Sequence, residues 1–267
     1  MSIFQKAKPL VKAAIPNSFW QRIRGLTRES WLFGILFTLF YREYRSDGFI
    51  FEIPKRLFPI PLRTGFFFDG YERAEREKIE ALIHPEDSVI ELGGAIGVIS
   101  CVTNRILRNK TSHVVVEPHP EALPFLYRNR AHNHAEFLVI NSVISPNKIE
   151  NFTFGDQLHN SRVRMSDQAI RITGITMGEL NKKYGPFSVL IMDIEGAEKF
   201  VVDADATTIA SFRLVILELH PCFIGEEACD AIRQKFTELG FAREGEKSCV
   251  EAWIKQANPP IPSVHTL

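Results

Sequence analysis

The amino-acid sequence predicts an α/β fold with a mostly parallel seven-stranded sheet that ends in an antiparallel hairpin. From residue 88 onward, short apolar runs alternate with helical patterns, and most runs are continuously apolar, as in parallel strands covered by helices on both faces. The end of the chain differs, because two short runs flank a turn at residues 245–247 and indicate a hairpin. The predicted strands are 88–92, 113–117, 136–141, 188–193, 214–219, 241–244 and 249–254.

Three segments are expected along the 267 residues. Residues 1–65 are rich in Phe, Arg and Pro, and they form a helical N-terminal extension that prolines at 54, 59 and 61 interrupt. Residues 66–256 form the main domain, which begins with a charged amphipathic helix over 72–83. Residues 257–267 form a C-terminal tail.

Charge and cysteine content narrow the class of protein. Lysine plus arginine and aspartate plus glutamate both total 32, so no net field attracts nucleic acid, and none is expected as a partner. The four cysteines are widely spaced and form no pair with metal-ligand spacing. They are interpreted as buried, reduced thiols of a cytoplasmic protein.

An apolar run, WLFGILFTLFY, occupies residues 31–41. It is shorter than the about 20 residues that a membrane-spanning helix needs. The favoured interpretation is a helix packed on the main domain or at a subunit contact of an oligomer, and contact with a membrane surface is the weaker alternative.

The strongest local motif is VIELGGAIG at residues 89–97, where an apolar strand reaches Glu91 and turns through glycines into a helix. Glycines let the backbone approach a ligand closely, and the helix N-terminus offers free amide donors. A purely structural turn is the alternative. The residues predicted to contact a cofactor here are Glu91, Gly93, Gly94, Ala95 and Gly97.

A second motif, VVVEPHP at residues 114–120, places Glu117 at the end of the next strand. A carboxylate at that point can accept hydrogen bonds from both ribose hydroxyls of an adenosine cofactor, although Glu117 could instead cap a turn. Pro118, His119 and Ser142 complete the predicted cofactor contacts on this side.

The kind of adenosine cofactor follows from charge and glycine spacing. The dinucleotide fingerprint G-x-G-x-x-G needs glycine at the position of Ala95, and Glu91 would lie unfavourably near a pyrophosphate. S-adenosylmethionine carries an ammonium and a sulfonium and no phosphate, so a carboxylate suits it. An NAD-dependent oxidoreductase stays as a less favoured alternative.

Two further strand ends carry candidate catalytic residues. VLIMDIEGAEKF, residues 189–200, ends a strand in Asp193 and Glu195, and LVILELHP, residues 214–221, carries Glu218 and His220. Ligands of open α/β sheets bind beyond the carboxyl ends of strands, so these four side chains are expected to meet in one cleft. Asp193 or His220 is the candidate base, oriented by Glu195 or Glu218, and Asp193 also counts as a cofactor contact. His220 could instead be a satisfied histidine at a strand end.

No metal is predicted, although a divalent cation held by Asp193 and Glu218 is a rival mechanism.

These motifs resemble the FkbM family of methyltransferases. The matching blocks, over about residues 70–256, are ELGGAIG, VVVEPHP, ITMGEL, and LIMDIEGAE followed by LVILELHP. The resemblance implies a Rossmann-like class I methyltransferase fold, S-adenosyl-L-methionine as cofactor, and O-methylation of hydroxyls on sugars or natural products. Glu91 stands where aspartate is common, Gly94 where alanine is common, and Ile191 where lysine is frequent, which weighs against a lysine-assisted mechanism.

Acceptor contacts are expected from two segments, the polar stretch around 159–162 and FFFDGYE at 66–72. Phe67 and Tyr71 could stack on the ring of a saccharide or small-molecule acceptor, although a role in the core is favoured. A noncatalytic cofactor binder or a membrane-associated scaffold is the alternative from another class.

Overall fold

The computed structural model describes residues 31–153, 162–163 and 170–257. The first elements are α1 (Trp31–Phe40), β1 (Glu43–Ser46), β2 (Phe49–Glu52), α2 (Ile60–Phe68) and α3 (Arg73–Leu82). The chain continues with β3 (Val89–Leu92), α4 (Val98–Ile106), β4 (His113–Val116), α5 (Leu123–His132), β5 (Leu138–Ile140), β6 (Val143–Ile144), β7 (Ile149–Thr153), β8 (Arg162–Val163) and β9 (Ile170–Ile175). It ends with α6 (Met177–Tyr184), β10 (Val189–Met192), α7 (Glu198–Ala204), α8 (Ala206–Ile209), β11 (Leu214–Glu218), α9 (Pro221–Ile224), α10 (Glu226–Glu238), β12 (Phe241–Glu244) and β13 (Val250–Lys255).

The central sheet has seven strands in the order β12-β13-β11-β10-β3-β4-β5. Strands β11, β10, β3, β4 and β5 are parallel, and β13 pairs antiparallel with both β11 and β12. The predicted fold class is therefore confirmed, including the closing hairpin. The bounds of each predicted strand lie within two residues of the observed bounds, because a turn follows each apolar run.

The strands bury both faces, as their continuous apolar runs predict. One face packs Val89, Val115 and Ile191 into one cluster, and the other packs Ile90, Val114 and Met192 into a second. Two of the four cysteines, Cys101 and Cys229, are buried in these layers. The other two, Cys222 and Cys249, are exposed, contrary to the expectation that all four lie in the core; all four are free thiols.

The N-terminal extension shares the first of these clusters. Phe37, Tyr44, Phe51 and Phe66 are buried together with Val89, and Tyr44 and Phe66 have ring centroids 5.1 Å apart. The predicted boundary between residues 65 and 66 lies inside α2, and the division into separate segments stays a prediction. In the described part of the chain, no helix is long and apolar enough to cross a membrane.

The segment between the third and fourth sheet strands contains a small sheet of order β6-β9-β7-β8, followed by α6. The block ITMGEL begins α6, because Thr176 accepts from the backbone of Glu179 while the Glu179 side chain accepts from the backbone of Thr176. This reciprocal capping box explains why the helix begins at that point. Most of the polar stretch 155–167 lies outside the described residues.

Two asparagines, Asn129 on α5 and Asn133 directly after it, attach β2 to the main domain. Asn133 exchanges two hydrogen bonds of 2.8 Å with the backbone of Ile50. Asn129 accepts from the backbone of Glu52 at 2.7 Å and donates to the carbonyl of Ile96 at 2.8 Å. Because Asn129 is fully buried, one side chain links the extension to the turn that precedes α4.

Replacing Asn129 should therefore destabilise the whole fold. Asn129→Ala leaves buried backbone groups of Glu52 and Ile96 without a partner, and we expect a loss of about 3 kcal/mol in the free energy of unfolding, measured by urea denaturation. Gln234→Ala, which removes an exposed hydrogen bond on α10, is the matched control and should change stability by less than about 0.5 kcal/mol. Equal losses in the two variants would contradict the linking role of Asn129.

Candidate active site

The candidate site lies at the carboxyl edge of the sheet, where β3, β4, β10 and β11 end side by side. Leu92 aligns with both Val116 and Met192, and Met192 aligns with Leu217. The residues that follow each strand therefore occupy one edge of the sheet. All four predicted strand tips meet there, because parallel strands present their carboxyl ends on the same side.

The glycine turn after β3 packs directly on the tip of β10. Gly93 has φ +92°, and a Cβ at this residue would lie 1.8 Å from the carbonyl oxygen of Asp193. A Cβ at Gly94 would lie 2.3 Å from the Val115 side chain, and one at Gly97 would lie 2.7 Å from Leu126. The glycines are thus required by packing within the protein itself, which places Asp193 against the turn.

Glu117 closes the turn from the second strand. Its carboxylate accepts from the backbone N–H of Ala95 at 2.7 Å and of His119 at 2.6 Å. Burial raises the pKa of Glu117 to about 7, against the lowering effect of these two bonds. Each carboxylate oxygen accepts one of the two bonds and keeps a second lone pair, so the group can still accept from ribose hydroxyls.

Pro118, His119 and Ser142 are the other residues predicted to contact the cofactor on this side. His119 is buried, and its Nδ1 lies 3.2 Å from the backbone nitrogen of Glu121, while Pro118 is half-buried in the same turn. Ser142 is buried just after β5, and its neighbour Asn141 donates to the carbonyl of Glu117 at 3.0 Å. The contacts of Pro118, His119 and Ser142 with a cofactor stay predictions.

Glu91 is held from within the protein. It is buried, accepts from the Ser100 hydroxyl at 2.6 Å, and lies 3.1 Å from Nε2 of His113. Glu91 also lines the pocket at the sheet edge, so it adds negative charge there while part of its hydrogen-bonding capacity is used inside. Direct contact of Glu91 with a cofactor stays a prediction.

The pocket at this edge is strongly acidic. Besides Gly93, Gly94 and apolar side chains, it is lined by five carboxylates: Glu72, Glu75, Glu91, Asp193 and Glu218. Burial and, to a smaller extent, neighbouring carboxylates raise the pKa of Glu72 to about 8 and that of Glu218 to about 9. Such a pocket binds a cation favourably, because the cation relieves the repulsion among buried like charges.

Beside the pocket, His220 lies among three carboxylates. Its Nε2 is 3.5 Å from Asp193 and 3.4 Å from Glu195, and its Nδ1 is 2.6 Å from the fully buried Glu198. Burial alone lowers the pKa of His220, but the bond to Glu198 and the charges of Asp193 and Glu195 raise it to about 9. His220 therefore carries a proton at neutral pH in the ligand-free protein.

Asp193 belongs to both groups of side chains. It lines the pocket with Glu218 and contacts His220 on its other side. Burial and the charge of Glu195 raise the pKa of Asp193 well above its ordinary value, against the lowering effect of His220. The four predicted catalytic residues are thus brought together around Asp193, and Asp193 is a stronger base than a solvated aspartate.

The same cluster has the donor set of a divalent-cation site. One ligand atom each from Asp193, Glu195 and His220 lie within 4.8 Å of one another. The bond from Nδ1 of His220 to Glu198 is the arrangement that commonly orients a metal-binding histidine. The pair of cation ligands expected from the sequence was Asp193 and Glu218. Glu218 lines the pocket with Asp193 but is not part of this set of three.

The aromatic residues predicted as acceptor contacts pack inside the protein. Tyr71 has its ring centroid 4.3 Å from Phe66 and 5.6 Å from Phe58, and burial raises its pKa well above the ordinary value. Phe67 packs 5.3 Å from Phe33. These contacts agree with the alternative that both are core residues. The predicted contacts at 159–161 lie outside the described residues.

Three carboxylates of the site escaped the sequence prediction: Glu72, Glu75 and Glu198. Glu72 ends the segment FFFDGYE, and Glu75 follows in the first turn of α3, so both were attributed to an amphipathic helix. Glu198 is the last acidic residue of the block DIEGAE, and its spacing from Asp193 and Glu195 was the available signal.

The order of the strands, the acidic pocket at the sheet edge and the glycine turn after β3 are those of a Rossmann-like class I methyltransferase. The Methyltransferase FkbM domain matches residues 91–242, more than half of the chain. The chain belongs to this family, as its motifs indicate. It is an S-adenosylmethionine-dependent methyltransferase with S-adenosyl-L-methionine as cofactor, so the alternatives of an NAD-dependent oxidoreductase and a noncatalytic binder do not hold.

Solved structures with a similar fold include three proteins of low sequence identity. Precorrin-6y C5,15-methyltransferase from Geobacter metallireducens GS-15 has 10% identity over 77% of this chain and 94% of its own, with a TM-score of 0.47. M. jannaschii TYW2 in complex with AdoMet has 11% identity over 79% and 82%, with a TM-score of 0.42. Aeropyrum pernix fibrillarin with natively bound S-adenosyl-L-methionine has 11% identity over 68% and 74%, with a TM-score of 0.43. No curated protein matches the chain significantly.

The described residues fit this cofactor. Its ammonium and sulfonium suit the carboxylates that line the pocket, and its ribose suits Glu117 beside the glycine turn. The fit depends on charge, because burial and neighbouring carboxylates disfavour the ionised forms of Glu72 and Glu218, and a bound cation offsets both effects.

Cofactor affinity should therefore rise with pH. Glu117, Glu72 and Glu218 lose their protons through about 7, 8 and 9, so the attraction for a cation is complete only above this range. The sign is opposite for the stability of the free protein. A carboxyl with a raised pKa disfavours the folded state, so stability falls as the pH rises from the ordinary carboxyl pKa of 4.5 up to the raised values. Calorimetric titration of S-adenosylmethionine across this pH range measures the trend.

Glu218→Gln should weaken binding at high pH and flatten this pH dependence, whereas Glu238→Gln, an exposed residue on α10, should leave both unchanged. S-adenosylhomocysteine, which lacks the sulfonium charge, should show a shallower dependence than S-adenosylmethionine. An affinity for S-adenosylmethionine that is constant over this range would contradict the charge-based account of the pocket.

Proposed function

We propose that the protein transfers the methyl group to a hydroxyl of a sugar or small natural product. The observation that carries the proposal is the series of Asp193, His220 and the fully buried Glu198, which begins at the pocket where Asp193 is half-buried. A hydroxyl must give up its proton as the new bond forms, and a base with a raised pKa serves that purpose. The resemblance of the motifs to methyltransferases of hydroxyl acceptors supports the same class.

In this mechanism Asp193 is the general base. S-adenosylmethionine supplies the electrophilic methyl group when bound. Asp193 lies at the pocket surface, where it can accept the proton of the acceptor hydroxyl. Burial and the negative charge of Glu195 raise the pKa of Asp193 and so strengthen it as a base, while Glu218 lines the same pocket.

His220 and Glu198 act as positioning residues. Glu198 holds Nδ1 of His220 at 2.6 Å and also accepts from the backbone N–H of Gly196 at 2.9 Å, so the imidazole has a fixed orientation. Nε2 of His220 consequently faces Asp193 and Glu195, and its charge stabilises both carboxylates. The acceptor oxygen must also lie in line with the bond that breaks, and such positioning supplies about 7 kcal/mol or more of rate acceleration.

Substitutions of these residues should distinguish the general base from the residues that position it. We expect Asp193→Asn to lower kcat by about 10²- to 10⁴-fold, because the base is removed, and His220→Gln to cause a smaller loss with a shifted pH profile. Asp203→Asn, which alters an exposed ion pair with Lys199 on α7, is the matched control and should retain full turnover. Methyl transfer is measured with the acceptor identified below, and S-adenosylhomocysteine affinity is measured in parallel. Unchanged turnover in Asp193→Asn with intact cofactor binding would refute the role of Asp193.

A metal-assisted mechanism is the second candidate, favoured by the three ligand atoms within 4.8 Å of one another. Oxygen ligands suit magnesium, and a cation between Asp193 and Glu195 would replace the proton on His220. Dialysis against a chelator distinguishes the two. We expect full turnover after chelation if Asp193 acts as a base, and loss with recovery on adding Mg²⁺ if the cation is required.

The acceptor can be identified by its label. Incubation of the protein with tritiated S-adenosylmethionine and a fractionated cell extract should label a small molecule or saccharide, and resistance of the methyl group to nitrogen-specific chemistry marks an oxygen acceptor. Labelling of nucleic acid or protein instead would contradict the proposal. The equal totals of basic and acidic residues support a small acceptor, and the four free thiols support a cytoplasmic location.

A further inference from the structure

Helix α1 presents an apolar face that no described residue covers. Trp31, Leu32, Ile35 and Leu39 follow one another at helical spacing and are 62%, 59%, 40% and 70% exposed. The helix carries no charged residue. We call these four side chains the apolar face. Soluble proteins rarely expose large apolar side chains in a contiguous row, so the face indicates a binding surface.

The opposite side of α1 fixes the direction of this face. Phe33 and Phe37 pack on α2, with ring centroids 4.8 Å from Phe68 and 5.6 Å from Phe66. A Cβ at Gly34 would lie 1.8 Å from the carbonyl oxygen of Ile60, so the two helices are in direct backbone contact. Arg63 also donates to the Thr38 hydroxyl at 2.7 Å. Because α1 is held this firmly, it cannot rotate its apolar face inward.

The charges near this face are positive. Exposed Arg42 follows the helix, and exposed Lys55 donates to the carbonyl of Thr38 at 3.1 Å. The 30 residues that precede the helix contain six basic side chains, at positions 6, 8, 12, 22, 24 and 28, and one acidic side chain, Glu29. An apolar helix face bordered by lysine and arginine is the pattern of helices that lie in the interface of an anionic bilayer.

We propose that α1 docks the enzyme on an anionic membrane surface, with the apolar face inserted at the boundary between headgroups and acyl chains. A second copy of the chain fits this face less well, since a symmetric dimer would bring the basic borders of both copies together. The proposal does not depend on the chemistry of the acceptor.

Vesicle sedimentation tests the proposal with the full chain. The protein should sediment with vesicles of phosphatidylcholine mixed with phosphatidylglycerol, and binding should weaken in phosphatidylcholine alone and at high salt. We expect Trp31→Gln combined with Leu39→Gln to lower partitioning at least about tenfold, because two large apolar contacts are lost. Arg42→Gln and Lys55→Gln should each lower it about fivefold.

The matched control removes two exposed apolar side chains elsewhere. Tyr127→Gln combined with Ile149→Gln changes residues that are 48% and 50% exposed and should partition like the unaltered protein. Affinity for S-adenosylhomocysteine confirms that each variant is folded. Absence of sedimentation with either vesicle, equal loss in the two double variants, or a dimer that the Trp31 and Leu39 changes dissociate would overturn the membrane assignment. None of these outcomes would change the assignment of the chain as a methyltransferase.

Discussion

Repulsion among closely placed carboxylates is the constraint on which the active site depends. Parallel strands bring Asp193 and Glu218 to one edge, and the start of α3 adds Glu72 and Glu75 to the same pocket. Carboxylates free in water would move apart under this repulsion, but the sheet and the helix hold these side chains close together. A cationic ligand or bound protons must offset the repulsion among these carboxylates. The folded protein therefore favours a cofactor that carries positive charge.

The N-terminal extension shares its core with the main domain. Its aromatic side chains are buried in one cluster with Ile79 of α3 and Val89 of β3, and Asn129 connects β2 to the turn that leads into α4. The extension is therefore part of the folded unit that holds the active site, although it precedes the matched family domain.

The central sheet could be predicted because its strands are short apolar runs that glycine or proline ends, and local pattern alone specifies them. The position of Glu117, Asp193 and Glu218 along one edge of the sheet followed from topology, since parallel strands end together. The partner of His220 did not follow, because Glu198 reaches it through the first turn of α7 rather than along a strand. Glu72 and Glu75 were missed for a similar reason, because α3 packs against β11 and β13, which lie far along the chain.

The acidic lining also bears on what happens after turnover. Once the methyl group has left, the cofactor product is neutral at sulfur, while the carboxylates keep their charge or take up protons. The pocket thus holds the spent nucleoside less firmly than the fresh one, and exchange of one for the other is favoured by charge alone. A methyltransferase with this lining escapes part of the product inhibition that a neutral pocket would suffer.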